Sequence, residues 1–349
     1  MSKTFRLLVL ALVAAFALGM VACGSDDDDG GDSGGGGGDG GTAAKSIKAG
    51  VVTDIGGLND RSFNFLANKG LEDAKSKLGV EGRVLISGKA GDYVPNLTTL
   101  AQQKYDLSVA VGFLMADAVN TVATKVPGSN FAIIDYSAAA LKDKPSNVQG
   151  LLFKEQEAGY LAGYLAGLWA KDNDAKVIST VGGQKIPPVD HYIAGYQAGA
   201  KKAYPGIQTL NAYSQDFVDQ AKCKEIALDQ ISKGSKVVFQ VAGQCGLGAL
   251  DAAKEKGVQG IGVDADQAYL GSHILTSALK KVDVAVFDAI KRSQEDKFQG
   301  GSDVVATVAN DGVGIGKIGP AGTKYADQVE KIRQQIAAGE IKDIPDTVK

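Results

Sequence analysis

From residue 45 onward, short apolar runs alternate with longer stretches in which apolar residues recur every three or four positions. IKAGVVTD (47–54), GRVLISG (82–88), LSVAVGF (107–113), NFAIIDY (130–136) and VQGLLF (148–153) are rich in valine and isoleucine and predict strands. The second half repeats the scheme with KVISTVGG (176–183), IQTLNAYS (207–214), VVFQVAG (237–243), VQGIGVD (258–264) and ILTSALK (274–280), and DVVATVAND (303–311) comes later still. Strands separated by amphipathic helices predict an α/β protein whose parallel sheets are covered on both faces. So many strands crowd a single open sheet, and about 300 residues exceed what one core usually supports. Two lobes are therefore expected, with the chain dividing near residue 150.

Open α/β sheets bind ligands in the crevice beyond the carboxyl ends of their strands. Two lobes facing each other would join two crevices into one cleft, and polar residues should then cluster just after strands. They do: Asp54 follows GVVT, Asp117 stands just past VGFL, Gly243 follows VVFQVA, Asp264 follows GIGV and Lys280 follows ILTSAL.

The chain ends add a compartment. Lys3 and Arg6 precede sixteen unbroken apolar residues (7–22) and then Cys23, which predicts an export signal. The run is short for a span needing roughly 20 residues, and Val21-Ala22-Cys23-Gly24 resembles a bacterial lipobox, in which the cysteine is lipidated and becomes the new N-terminus. Met20 stands where that pattern usually has leucine. Residues 24–44 hold ten glycines, six aspartates and no large apolar side chain, so they predict a flexible acidic tether. Gly31-Asp32-Ser33-Gly34-Gly35 within it looks like the nucleophile signature of a serine protease, but a leash supplies neither a packed barrel nor a histidine partner. Of 37 basic and 40 acidic side chains, setting aside Lys3, Arg6 and the tether's six aspartates leaves 35 against 34, with no basic stripe for nucleic acid. His191 and His273, the only histidines, are too few and too far apart for a catalytic or zinc cluster.

The segment DIGGLNDRSFN (54–64) packs glycines, polar groups and an aromatic into the turn between the first strand and the first helix. Asp60 suits a helix cap, and Phe63, Ala67, Gly70 and Ala74 share one helical face. VTDIGGLNDRSFN, YDLSVAVGFLMADAV, FAIID, FKEQEAGYLAGYLAG, VGGQKIPPVDHYIAGYQAG, VVFQVAGQCGLGALDAAKEKG, IGVDADQ and TSALKKVDVAV occur in the order and at about the spacing of the basic membrane protein family. The chain thus resembles substrate-binding lipoproteins of ABC importers, over roughly residues 47–315. The resemblance implies a two-lobed periplasmic-binding-protein fold of type I with three interlobe crossovers, near 148–153, 274–280 and 303–312. The lobes would comprise 45–150 with 281–305, and 151–280 with 306–349, closing on the ligand by a hinge.

The best understood family members bind purine nucleosides, which implies roles for particular residues. Phe63 would stack on the base, worth ~1–3 kcal/mol, and Tyr192, where the family commonly has phenylalanine, would complete the sandwich. Asp54 and Asn64 would read a base edge or sugar hydroxyl, and Asp117 resembles the family's base-contacting aspartate. Gly243, Asp264 and Lys280 correspond to the ribose end, with Asp264 accepting from the 2′ and 3′ hydroxyls. Lys280 would donate to a ligand oxygen or keep Asp264 ionised. Cys223, in the helix before strand VVFQVAG, and Cys245, in the turn after it, lie at one sheet edge and are expected to form a disulfide.

These readings describe a monomeric lipoprotein on the extracytoplasmic face of the cell membrane. It would need no cofactor and would deliver a nucleoside to an ABC permease. A sensor of the same fold, or a receptor for another ribosyl or sugar-like solute, is the alternative. An enzyme is disfavoured: Gly243-x-x-Gly246-x-Gly248 has the wrong spacing for a dinucleotide loop, and no P-loop or G-x-S-x-G occurs.

Overall fold

The computed structural model describes residues 45–348. The export signal, Cys23 and the acidic tether lie outside them. In the first lobe, strands β1 (Lys48–Val52), β2 (Glu81–Leu85), β3 (Leu107–Ala110), β4 (Asn130–Ile134) and β5 (Val148–Phe153) alternate with helices α1 (Phe63–Leu78), α2 (Tyr93–Gln102) and α3 (Ala116–Lys125). The second lobe runs through α4 (Glu155–Asp172), β6 (Val177–Gly182), α5 (Pro187–Ala203), β7 (Gln208–Tyr213) and α6 (Gln220–Ser232). It continues with β8 (Ser235–Val241), α7 (Gly243–Glu255), β9 (Gln259–Asp264) and β10 (Ile274–Lys280). Helix α8 (Val282–Gln294) and strand β11 (Asp303–Ala306) return to the first lobe, and β12 (Val313–Ile315) and α9 (Ala326–Ala337) to the second.

Each lobe is built on a six-stranded sheet, in the orders β11-β5-β4-β3-β1-β2 and β12-β10-β9-β8-β6-β7. All pairings are parallel except β10 with β12. Central strands such as Leu107–Ala110 are buried at every position, because helices cover both faces and no alternation of polar residues is needed. β12 escaped the sequence reading: three residues with a central glycine carry almost no strand signal, and its place is set by pairing with β10.

The chain changes sheets at Lys154, at Lys281 and between residues 307 and 312. The first exchange falls after Phe153, because β5 stays paired with β11 to its end. The three passages run side by side, joined by Lys154 N donating to Ala306 O at 2.8 Å and Lys281 N to Gly312 O at 2.9 Å. Such a bundle of short connections at one edge is the geometry of a hinge.

Helices α4 and α5 meet backbone to backbone. A Cβ added at Gly159, Gly163, Gly195 or Gly199 would lie 2.2, 2.0, 2.1 or 2.0 Å from a carbonyl oxygen of the facing helix, those of Tyr192, Tyr196, Gln156 and Tyr160 respectively. No other residue type fits these four positions without forcing the helices apart. The contact fixes Glu155, at the start of α4, relative to Tyr192 in α5.

Candidate functional site

On the first lobe the site is set by the turn after β1. Gly56 and Gly57 take positive φ of 107° and 61°, which residues with a Cβ adopt at a cost, and the chain doubles back. Buried Asp60 then caps α1: Oδ1 accepts from Ser62 N (3.1 Å) and Phe65 N (3.0 Å), and Oδ2 from Asn64 N (2.7 Å). This directs Phe63, the first residue of α1, into the cleft. Asp54 is held by its neighbours. Its backbone N donates to Asn64 Oδ1 at 2.9 Å, and its carboxylate accepts from Ile55 N at 2.7 Å and from the Tyr93 hydroxyl. Burial nonetheless pushes the Asp54 carboxyl up to about 6.

On the second lobe the site is built at strand ends. Asp264 closes β9 in the left-handed conformation, φ 60°, and Gly243 opens α7 with φ 54°. Asp264 Oδ2 accepts from Ser62 Oγ of the first lobe at 2.6 Å, and Oδ1 from the Tyr192 hydroxyl at 3.3 Å. Tyr192 is 2% exposed, with its ring edge-on to Phe239 at 6.1 Å.

Lys280, the last residue of β10, lies 2.6 Å from Asp135 Oδ1 and 2.9 Å from Glu155 Oε1, and all three side chains are almost completely buried. Its ammonium also stands over the rings of Phe153 (4.8 Å) and Phe63 (5.1 Å). Burial opposes the lysine's charge, yet Asp135, Glu155 and Asp264 hold its pKa above the ordinary value. Burial raises Asp135 and Asp264, with Lys280 working against it in both. Glu155 stays below the usual carboxylate range: burial works against its charge, but Lys280 and His191 outweigh it. His191 Nδ1 lies 3.0 Å from Glu155 Oε2, so this histidine supports the buried network from its half-exposed position.

Asp54, Phe63, Asn64, Tyr192, Gly243, Asp264 and Lys280 all line one cavity between the lobes. Asp117 does not reach it. A 3₁₀ turn at Phe113–Met115 precedes α3, which leaves Asp117 exposed on the first turn of that helix, its carbonyl accepting from Thr121 Oγ1 at 2.8 Å. Gly112 and Phe113 of the same segment line the cavity instead.

Four polar residues have no role in the sequence analysis: Ser62, Asp135, Glu155 and the cavity-lining Gln244. Asp135 directly follows β4 and satisfies the same strand-end rule that singled out Asp54 and Asp264, so its signal was present. Ser62 and Glu155 carried none, since each acts through a partner distant in sequence. Ile186, Val189 and Phe217 add apolar wall. Cys223 of α6 and Cys245 of α7 are fully buried and joined as a disulfide with Cα atoms 5.5 Å apart, beside Gly243. Among the described residues, no group of three or more His, Cys, Asp or Glu side chains is arranged to hold a metal ion.

Residues 47–347 match the family described as ABC transporter substrate-binding protein PnrA-like, or Bmp. This chain belongs to the basic membrane protein family. The ABC transporter nucleoside-binding protein BmpA of Lactococcus lactis is 35% identical over 317 residues, covering 84% of this chain and 88% of that protein. An uncharacterized lipoprotein of Pyrococcus abyssi is 36% identical over 320 residues, covering 88% of this chain and 76% of the relative. Among solved structures, an ABC transporter solute-binding protein from Aeropyrum pernix superposes with a TM-score of 0.77 at 28% identity, covering 86% of this chain and 94% of the other. The basic membrane protein scaffold is thus a two-sheet solute receptor, and its partners are a small-molecule ligand and the permease of an ABC transporter.

Proposed function

We propose that this family member is a lipid-anchored extracytoplasmic receptor that captures a nucleoside, a purine nucleoside foremost, and releases it unchanged to its permease. The observation that carries the reading is the convergence of an aromatic, Phe63, from one lobe with a carboxylate, Asp264, and an ammonium, Lys280, from the other on a single cavity. A flat ring suits the base, and buried polar groups suit a sugar whose hydroxyls both donate and accept. Asp54, Asp60, Asp135 and Asp264 all line the cavity and repel a phosphorylated ligand, which favours the nucleoside over its nucleotide. The name of the Lactococcus relative points the same way. Lipidation at Cys23 would hold the receptor to the membrane by its tether.

Calorimetric titration with guanosine, inosine, adenosine, cytidine and free ribose tests the reading, together with mass spectrometry of the small molecule that co-purifies. The expected result is purine nucleoside binding at micromolar concentration or below, with no product formed on prolonged incubation. Binding of ribose or another sugar, with no nucleoside bound, would overturn it.

A further inference from the structure

Asp264 does not wait for a sugar with free oxygens. Each of its carboxylate oxygens already has a donor from the protein, Ser62 Oγ at 2.6 Å on Oδ2 and the Tyr192 hydroxyl at 3.3 Å on Oδ1. Ser62 is fully buried and Tyr192 is 2% exposed, so water does not compete for either donor. Ser62 Oγ also lies 3.3 Å from Val263 O, which leaves its orientation shared between two acceptors of one strand end.

A binding site rejects an analogue that lacks a hydroxyl chiefly because the group which would have met that hydroxyl is left buried and unpaired. An ionised carboxylate offers about four acceptor positions. With Ser62 and Tyr192 occupying one on each oxygen, a ribose can still add its two vicinal hydroxyls. When one hydroxyl is missing, neither oxygen is stranded.

We infer that Tyr192 and Ser62 are specificity-determining residues that make the site tolerant of deoxyribonucleosides, because their hydroxyls keep Asp264 hydrogen-bonded where the ligand cannot. The inference rests on the nucleoside reading of the same site. Tyr192 is the more informative of the two residues. Its ring packs on Phe239, so removing only the hydroxyl leaves the wall in place and strips Oδ1 of its protein donor.

The test is the ratio of affinities for guanosine and 2′-deoxyguanosine, with inosine and 2′-deoxyinosine as a second pair, in the parent protein, Tyr192→Phe and Ser62→Ala. Thermal unfolding of each variant checks that it is folded. The parent is expected to prefer the ribonucleoside by less than about tenfold, and at least one variant to widen that preference by about tenfold or more, moving toward the strong discrimination of sites left unpaired. A parent ratio above about a hundredfold, or ratios in both folded variants within twofold of the parent, would overturn the inference and leave the nucleoside reading intact. Failure of every nucleoside to bind the parent would overturn both.

Discussion

Lys280 of the second lobe and Asp135 of the first meet across the cleft at 2.6 Å, with side chains only 2% and 5% exposed. The pair joins the lobes beside the hinge, since Lys280 ends the strand that leads into the crossover at Lys281. Glu155 follows directly on the crossover at Lys154 and completes the triad. Closure therefore gathers its charges where the chain passes between lobes.

Lys280→Met should be strongly destabilising, because it leaves Asp135 and Glu155 buried without their cation. Removing one partner of a buried ion pair typically costs about 3–5 kcal/mol. Urea denaturation at pH 7 would measure the loss, and calorimetry should show at least a hundredfold weaker ligand binding.

Asp54 gives a pH dependence of defined sign. Burial raises its carboxyl from 3.8 to about 6, so between those pH values the folded chain binds more protons than the unfolded one. This group's contribution to stability therefore falls as pH rises through the window, and the penalty stands in full above it. Asp54→Asn should be at least as stable as the parent at pH 7 and lose that advantage at pH 4, even as ligand affinity drops. Denaturation curves at pH 4, 5, 6 and 7 would show whether the two stabilities converge on acidification.

The disulfide closes a loop of 22 residues between Cys223 and Cys245. Loop-closure entropy puts its contribution at about 3 kcal/mol. The double variant Cys223→Ala, Cys245→Ala should unfold at lower urea concentration by that amount. The same shift is expected when the parent is unfolded in the presence of a reductant.

Asp117→Ala should leave ligand affinity within twofold of the parent, because its exposed carboxylate lies outside the cavity. Calorimetry on this variant separates the observed lining from the residue that the family resemblance would assign to the base.

The fold was largely legible because buried parallel strands write themselves as unbroken apolar runs, and the alternation of such runs with helices leaves few architectures open. Strand β12 was not, since its three residues take their conformation from β10. At the site, residues that follow strands announced themselves, Asp54 and Asp264 among them. Asp117 follows a strand as well, but a 3₁₀ turn at Phe113–Met115 intervenes and the residue stands exposed outside the cavity lining, which spacing from a strand does not reveal. Ser62 and Glu155 stayed hidden for a different reason. Their importance lies in atoms that come near only after two lobes have folded and closed, and no local pattern records that encounter.

The bare-backbone contact of α4 with α5 bears on how such receptors diversify. With four glycines admitting no larger residue at that seam, substitutions there force the helices apart, whereas the turns beyond the strands line the cavity. A library aimed at a new cargo would therefore be best spent on those turns, with the helical seam copied unchanged.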